Sequence, residues 1–437
     1  MPDQGQPFTL SSFPQAILHL DGDAFFTSIE QAVNPAWKGR PMVTGKERGI
    51  ISCASYEAKK LGIKRGIRLH EAQKMCPDLI ILPSDYETYS LYSKRMFNII
   101  RRFTPLVEEH SIDEGFADIT GLRRVHRSSY QEIAQDIKQT IQNELGITVS
   151  VGLSLSKGLT KLASKFRKPD GFTAIAGYHI HLFLQRHTLN DIWGFGHNTT
   201  RLLEKQGLRT AYDFVMKPEK WADRVLGKIG REIWNELRGN AIHPVVTEEK
   251  SSYATISKCK TFTAPSSDPD FVYAKLIRNV ESAFIKMRRY KLRTRWMTVS
   301  LRRKDFTQVA MEAKLNRATS ATQEVLPMVK QLFDQLIEPA TEYRTTIVIL
   351  GELEDDLVEQ TELFEDRLRI DRMDRASKVI DEVNERFGKH KLGLGQSLYL
   401  PHHEVTDRDD KPLRKENLLP GETDRRRLKL PQFRIKV

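Results

Sequence analysis

Three acidic residues, Asp21, Asp113 and Glu114, have the types and positions that suit metal-assisted phosphoryl transfer. Asp21 directly follows a short apolar run, and Asp113 and Glu114 lie together in a polar stretch of LVEEHSIDEGFADIT. Carboxylate oxygens are preferred ligands of Mg²⁺, and two such ions neutralise charge on the attacking and leaving oxygens of this reaction. Each acid also has an ordinary interpretation. Asp21 and nearby Asp23 suit a turn or a helix N-cap, and Asp113-Glu114 suits a solvated hairpin tip.

The elements around these acids predict an α/β domain. AILHL is typical of a buried strand that presents Asp21 at its end, and LVEEHSIDEGFADIT predicts a β-hairpin with Asp113 and Glu114 at its tip. AFFTSIEQAV has helical spacing, and further amphipathic helices are predicted for residues 86–103 and 130–145. ITVSVGLS is rich in β-branched residues and predicts another strand. Strands and helices that alternate in this way indicate an α/β fold.

The pattern changes after Gly171. Short helical stretches interrupted by glycines predict a small all-α unit over residues 178–241, followed by a linker over residues 243–250. CKTFTA, a helix over 270–289, WMTVSLRR, VAMEAKL, a helix near 322–337 and TTIVILGEL then give a βαββαβ order, which predicts a compact α+β module. From residue 402 onward the chain is charged and poor in apolar residues, which predicts loose order.

The composition favours a polyanionic partner. The 437 residues carry a formal net charge of +12. Eleven basic and three acidic residues lie between Glu281 and Arg317, whereas eight acidic residues and no basic one lie between Gly351 and Asp366. No apolar run is long enough for a membrane span, and the first residues lack a secretion signal, so we expect a cytoplasmic protein without a membrane partner. The three cysteines form neither a disulfide framework nor a zinc motif.

Four segments resemble the palm and fingers motifs of Y-family DNA polymerases: LHLDGDAFFTSIE, ISCASYEAKKLGI, SIDEGFADIT and VSVGLSLSKGLTKLASKFRKPDG. The resemblance continues to about residue 400. It implies a multidomain α/β and α+β fold of the right-hand polymerase type. The domains implied are a palm (16–27 and 84–177), fingers (28–83), a helix-hairpin-helix thumb (178–245), a βαββαβ little finger (251–355) and a C-terminal linker and tail (356–437).

The resemblance also implies roles for particular residues. Asp21, Asp113 and Glu114 would be catalytic and would hold two Mg²⁺ ions, or Mn²⁺ in their place, together with the backbone carbonyl of Gly22; Asp23 would be structural. The implied nucleotide-binding residues are Phe25, Phe26, Ser52, Cys53, Tyr56, Lys59 and Lys161.

Several residues of this pocket have alternatives. Phe26 would be a steric gate against the ribose 2′-hydroxyl, although a Phe-Phe pair at helical spacing also suits a core. Tyr56 also suits a core position, and isolated lysines are usually solvated. Lys59 stands where the family most often has Arg, and Cys53 where it commonly has Thr. A lysine gives a point charge and a thiol is a poor donor, so triphosphate binding is expected to differ here.

Two further segments suggest partners. Gly194, Phe195 and Gly196 resemble the turn of a helix-hairpin-helix, whose backbone N–H groups hold a DNA phosphate, although an ordinary helix connection has the same pattern. Gln360, Leu363 and Phe364 resemble a sliding-clamp peptide, and the start of an amphipathic helix is the alternative. The expected partners are primer-template DNA, a dNTP and a sliding clamp, with the protein itself a monomer.

The function that this resemblance implies is template-directed, low-fidelity translesion DNA synthesis. Every segment is assigned, so we expect no proofreading exonuclease. Two alternatives stay open. A palm-domain nucleotidyl cyclase would share the acids, and a non-catalytic DNA-binding relative would share the basic modules.

Overall fold

The computed structural model describes residues 6–248, 253–356, 366–387 and 391–397. The described residues form two compact units: unit 1 ends at residue 248, and unit 2 follows it. In the described ranges, no helix is both long and apolar enough to cross a lipid bilayer.

Unit 1 begins with a buried strand that leads into a helix. Ala24 has a left-handed backbone (φ +45°), which turns the chain between the two. The elements up to residue 82 are β1 (Ile17–Gly22), α1 (Phe25–Val33), β2 (Met42–Thr44), β3 (Cys53–Ala54), α2 (Tyr56–Lys60), α3 (Leu69–Met75) and β4 (Ile80–Leu82).

The next part of unit 1 contains the predicted hairpin between two long helices. The second of these begins and ends where the sequence predicts. Ser129 and Glu132 form a capping box at its start, and Gly146 (φ +67°) ends it. The elements are α4 (Tyr86–Arg101), β5 (Val107–Glu109), β6 (Glu114–Asp118), α5 (Arg123–His126), α6 (Tyr130–Leu145), β7 (Val149–Ser154), α7 (Lys157–Phe166) and β8 (Phe172–Ala174).

The remainder of unit 1 is helical, as expected for residues 178–241. Gly227 interrupts the last helix with a non-helical backbone, φ +67°. The helices are α8 (Ile180–Leu184), α9 (His197–Lys205), α10 (Ala211–Met216) and α11 (Glu219–Leu237). Their apolar faces bury Phe195, Leu203 and Phe214 in a common core.

Strand β1 lies at the centre of a five-stranded sheet with the order β5-β6-β1-β7-β8. It pairs antiparallel with β6 on one side and β7 on the other. Helices α4 and α6 contribute Phe97, Ile100 and Ile137 to the core that includes Leu18 and Leu20 of β1. A smaller sheet, β3-β2-β4, has its own core around Val43, Ile51 and Ile63.

Helix α7 packs closely on β7 because one strand residue has no side chain. A Cβ atom on Gly152 would lie 2.1 Å from the carbonyl oxygen of Thr160 and 2.6 Å from the backbone nitrogen of Ser164. Ser156 caps the helix by accepting the N–H of Leu159. Gly152 therefore sets the distance of α7, which carries Lys161, from the sheet.

Unit 2 has the predicted βαββαβ order. Its elements are β9 (Ile256–Ser266), α12 (Pro269–Arg289), β10 (Leu292–Arg303), β11 (Gln308–Thr319), α13 (Thr322–Leu336) and β12 (Tyr343–Asp355). The strands form an antiparallel sheet with the order β11-β10-β12-β9. Its core buries Phe284, Met297, Phe333 and Tyr343.

Within the segment expected as a linker and tail after residue 356, the described residues include a long helix. Residues Arg367–Phe387 form a helix, α14. Arg288 donates two hydrogen bonds, of 2.6 and 2.7 Å, to the carboxylate of Asp381, and the N–H of Leu394 donates to Glu281 at 2.6 Å. Mainly polar contacts of this kind give a weak apolar pattern, so the sequence indicated a helix near Leu363 and Phe364 only as the alternative to a clamp peptide. The tail expected from residue 402 lies outside the described residues.

Candidate active site

The pairing of β1 with β6 brings two of the three predicted acids together. Asp21 and Glu114 are direct partners in the antiparallel register. The backbone N–H of Gly22 donates to the carbonyl of Asp113 at 2.7 Å, so the third acid lies beside the same strand end. Asp21, Asp113 and Glu114 are thus neighbours at one edge of the sheet, although the first two are 92 positions apart in sequence.

A serine orders the turn that carries Asp113. The hydroxyl of Ser111 donates to Asp113 Oδ1 at 2.5 Å and accepts the N–H groups of Asp113 and Glu114 at 3.3 and 3.2 Å. These bonds hold the turn in one conformation. The adjacent backbone positions that carry the side chains of Asp113 and Glu114 are therefore ordered.

Two lysines balance the charge of the acids. Lys161 Nζ donates to Glu114 Oε1 at 2.6 Å, and Lys168 Nζ pairs with Asp21 Oδ1. Within the described ranges, no three His, Cys, Asp or Glu side chains are gathered closely enough to hold a metal ion. The acids nevertheless suit Mg²⁺, because carboxylate oxygens are among its preferred ligands. Their pairing with Lys161 and Lys168 shows that positive charge is stabilised at this place.

A buried histidine lies behind Glu114. His19 Nε2 is 3.5 Å from Glu114 Oε2, and His19 Nδ1 is 2.7 Å from Ser164 Oγ. Burial lowers the pKa of His19 to about 4, so the ring is neutral at pH 7. Burial opposes ionisation of Glu114, but the contacts with His19 and Lys161 outweigh it and lower the pKa of Glu114 to about 2. Burial raises the pKa of Asp21 above its usual value.

Asp23 has partners of its own within the fold. Its Oδ1 accepts the hydroxyl of Ser150 at 2.7 Å, and its Oδ2 accepts the N–H of Asp170 at 2.8 Å. The side chain is fully buried. These contacts tie the end of β1 to β7 and to the loop after α7, which is a structural role.

The two phenylalanines of α1 have different environments. Phe25 is buried in the core of the five-stranded sheet, whereas Phe26 is half-buried. The ring of Phe26 stacks on Tyr89 with the ring centroids 4.3 Å apart and an interplanar angle of 11°. Tyr89 is held in turn, because its hydroxyl donates to Glu30 Oε1 at 2.8 Å. Phe26 therefore rests on a fixed aromatic support.

Four of the residues predicted to bind the nucleotide lie on β3, on α2 or just before β3: Ser52, Cys53, Tyr56 and Lys59. The hydroxyl of Tyr56 is 3.5 Å from Asp23 Oδ1, and burial raises the pKa of Tyr56. Lys59 is exposed, with its Nζ 4.2 Å from the centre of the Tyr56 ring. Ser52 and Cys53 are half-buried, and Cys53 Sγ lies 3.9 Å from Thr27 Oγ1. The fold thus places Tyr56 and Cys53 next to the segment that follows Asp21.

The predicted DNA-binding turn precedes α9. Gly194 has φ +95°, which favours glycine, and a Cβ atom on Gly196 would meet no atom within 4 Å. Phe195 is buried, and its N–H donates to the carbonyl of Ile192 at 3.1 Å. Phe195 therefore anchors the turn, and the backbone N–H groups of Gly194 and Gly196 are the ones suited to a phosphate. The predicted clamp residues Gln360, Leu363 and Phe364 lie outside the described residues.

The structure adds Lys168, His19 and Ser111 to the residues predicted from the sequence. A histidine inside the apolar run AILHL was a usable signal, because a buried polar group needs a partner. Lys168 lies within the segment LTKLASKFRKPDG, but sequence spacing alone does not indicate that it reaches Asp21.

Known proteins resemble both parts of the chain. The impB/mucB/samB family matches residues 20–165, and the impB/mucB/samB family C-terminal domain matches residues 254–363. The chain is 32% identical to DNA polymerase IV of Opitutus terrae, over 87% of this chain and 97% of that protein. It is 30% identical to DNA polymerase IV of Streptococcus pyogenes serotype M1, over 78% and 95%. Among solved structures, the Y-family DNA polymerase chimera Dbh-Dpo4(243-245)-Dbh has a TM-score of 0.65 and 25% identity, over 77% and 98%.

Proposed function

The chain belongs to the DNA polymerase IV group of the Y-family of DNA polymerases, and we propose from this premise that Asp21, Asp113 and Glu114 are its catalytic residues. It is a DNA-directed DNA polymerase whose function is low-fidelity translesion synthesis. The right-hand polymerase fold expected from the sequence is confirmed by the solved relative.

Asp21, Asp113, Glu114 and the carbonyl of Gly22 would hold two Mg²⁺ ions, with Mn²⁺ as a substitute. The bound ions would supply neutralisation of the negative charge on the attacking and leaving oxygens. Lys161 and Lys168 pair with Glu114 and Asp21 in the structure. If these carboxylates held the ions, Lys161 would be free to serve the triphosphate.

The nucleotide site would be formed by Lys161, Tyr56 and Lys59 on the phosphate side and by Phe26 on the sugar side. Ser52 would lie over the templating base, and Cys53 would lie on the phosphate side, where its thiol is a poor donor. Because Tyr89 stacks beneath Phe26, the phenyl ring cannot easily move away from a ribose 2′-hydroxyl. Phe25, which is buried in the core, would support Phe26 instead of touching the nucleotide.

Primer-template DNA would be held by both units. In unit 1, the N–H groups of Gly194 and Gly196 suit a backbone phosphate. In unit 2, the segment between Glu281 and Arg317 carries eleven basic and three acidic residues and suits the same polyanion. The domain limits that we propose are those implied by the sequence: palm 16–27 and 84–177, fingers 28–83, thumb 178–245 and little finger 251–355.

We also propose that the enzyme acts as a monomer in the cytoplasm and binds a sliding clamp through Gln360, Leu363 and Phe364. The support for the clamp is the sequence pattern alone. Deletion of residues 360–364 is expected to abolish stimulation by a clamp and to leave unstimulated synthesis intact.

The observation that carries the proposal is the register of Asp21 opposite Glu114, with Asp113 beside them. Extension of a labelled primer with Mg²⁺ and four dNTPs tests it, with Asp113→Ala as the control. Templated extension by the wild type and not by Asp113→Ala supports the proposal. A cyclic nucleotide product would favour a cyclase, and DNA binding without extension would favour a non-catalytic relative.

A further inference from the structure

Trp193 lies between the turn formed by residues 194–196 and the edge of the sheet that carries the acids. None of the roles proposed above involves this residue. Its neighbours in the chain are fixed: Ile192 and Phe195 are buried, and the N–H of Phe195 donates to the carbonyl of Ile192. The indole ring itself contacts Phe116 of β6, with the ring centroids 6.0 Å apart, and the edge of His110, at 5.4 Å and 90°. The turn therefore presents this one side chain to the sheet.

The face of the same indole carries the Lys161 ammonium group. Lys161 Nζ lies 4.7 Å from the Trp193 ring centre and donates to Glu114 Oε1 at 2.6 Å. Lys161 is almost wholly buried, so its charge needs partners that replace water. An indole is the best aromatic partner for a cation.

We propose that Trp193 is a positioning residue that holds the Lys161 ammonium group in place for the triphosphate. The proposal rests on the proposed function, in which Glu114 turns to a metal ion when substrate binds. Lys161 would then lose its carboxylate partner, and of the two contacts described for its ammonium group the indole face would remain. The Lys161 side chain, which has four rotatable bonds, is thereby kept in the nucleotide site. Less side-chain conformational entropy is then lost when the nucleotide binds.

The surroundings of Trp193 make the idea testable without loss of the fold. The side chain is 37% exposed and borders an apolar cavity of about 300 Å³ between the turn and α11, lined by Ile192, Ile233 and Leu237. Its replacement therefore leaves no new hole in a closed core. Trp193→Leu removes the aromatic face and keeps an apolar side chain, whereas Trp193→Phe keeps a smaller aromatic face.

The experiment is steady-state single-nucleotide incorporation by the full-length chain. Trp193→Leu is expected to raise the KM for the dNTP roughly 2- to 30-fold, the range that a cation–π contact supports, with a smaller change in kcat and in the Kd for DNA. Trp193→Phe should recover most of the loss. Trp221→Leu is the matched control, because Trp221 also lies near a lysine, Lys217, at 5.8 Å, and it should keep the wild-type KM.

A double-mutant cycle separates positioning from a general effect on structure. In a Lys161→Ala background, adding Trp193→Leu should leave the KM unchanged, because the indole has lost the group it positions. If the wild type is active and Trp193→Leu leaves the KM for the dNTP unchanged, the inference is overturned. It is also overturned if Trp193→Leu raises this KM by the same factor in the Lys161→Ala background. A wild type that extends no primer would instead overturn the proposed function.

Discussion

The aromatic pair of Phe26 and Tyr89 is a fixed surface that we propose lies at the sugar side of the nucleotide. The rings stack at 4.3 Å, and Tyr89 is anchored to Glu30 through its hydroxyl. A gate that could swing aside would discriminate poorly between ribose and deoxyribose. The support beneath Phe26 is thus the physical reason to expect strong discrimination.

Phe26→Ala is expected to lower discrimination against ribonucleotides roughly 10- to 200-fold while it leaves dNTP incorporation largely intact. The ratio of kcat/KM for dNTP and rNTP measures this. Phe8→Ala is the matched control, because Phe8 is also half-buried and stacks on an aromatic residue, Tyr212. Equal discrimination in wild type and Phe26→Ala would remove the gate.

Lys59, which we propose faces the triphosphate, has a point charge where the resemblance implies a guanidinium group. It is exposed and held only over the Tyr56 ring among the contacts described, so a longer planar group has room. Lys59→Arg is expected to lower the KM for dNTP about 2- to 10-fold through bidentate contact. Lys60→Arg, the adjacent exposed lysine, is the control; the same KM in both variants and wild type would exclude Lys59 from the phosphate side.

At the scale of residues, the sequence predicted the acids but not their partners. Asp21, Asp113 and Glu114 stand in motifs whose spacing is distinctive. Lys168 reaches Asp21 across 147 positions of sequence, and such a contact is set by the fold as a whole. The burial of Phe25 in the core and the half-exposure of Phe26 likewise depend on how α1 lies on the sheet.

At the scale of elements, the distance between α7 and β7 controls where Lys161 lies. Gly152→Ala would put a methyl group 2.1 Å from the Thr160 carbonyl, so the helix must move outward. We expect unit 1 to lose about 1 to 3 kcal/mol of unfolding free energy, with slower nucleotide incorporation. Urea unfolding and primer extension measure these two effects.

Gly196→Ala is the control for stability in the same unit, because its Cβ atom would meet nothing within 4 Å. Its unfolding free energy should stay within about 0.5 kcal/mol of wild type. A Gly152→Ala variant as stable as wild type would show that the strand and helix are not in the close contact described.

Helices and strands whose apolar residues recur at a regular spacing could be predicted from the sequence. The helix predicted for residues 130–145 begins and ends there because Ser129, Glu132 and Gly146 supply both caps. The βαββαβ order of unit 2 followed from alternating strands and amphipathic helices in the same way. A helix after Leu363 was predicted only as an alternative, since α14 is charged on most sides and is fixed by contacts such as Arg288 with Asp381.

At the scale of the whole molecule, the net charge of +12 makes DNA affinity depend on salt. Each phosphate that is neutralised releases counterions, so binding should weaken roughly 10³-fold between about 50 and 200 mM salt if six or more phosphates are contacted. Fluorescence anisotropy with a labelled primer-template measures the slope. An affinity that stays flat over this range would contradict phosphate-based holding.

The central claim is that the acids at the edge of the five-stranded sheet carry out nucleotide transfer. Single-turnover primer extension with Asp113→Asn tests it most directly, because asparagine has the same shape and lacks the charge. We predict Mg²⁺-dependent templated addition by wild type, and a loss of at least about 10³-fold in the variant with DNA binding retained. Extension by Asp113→Asn at the wild-type rate would contradict the account.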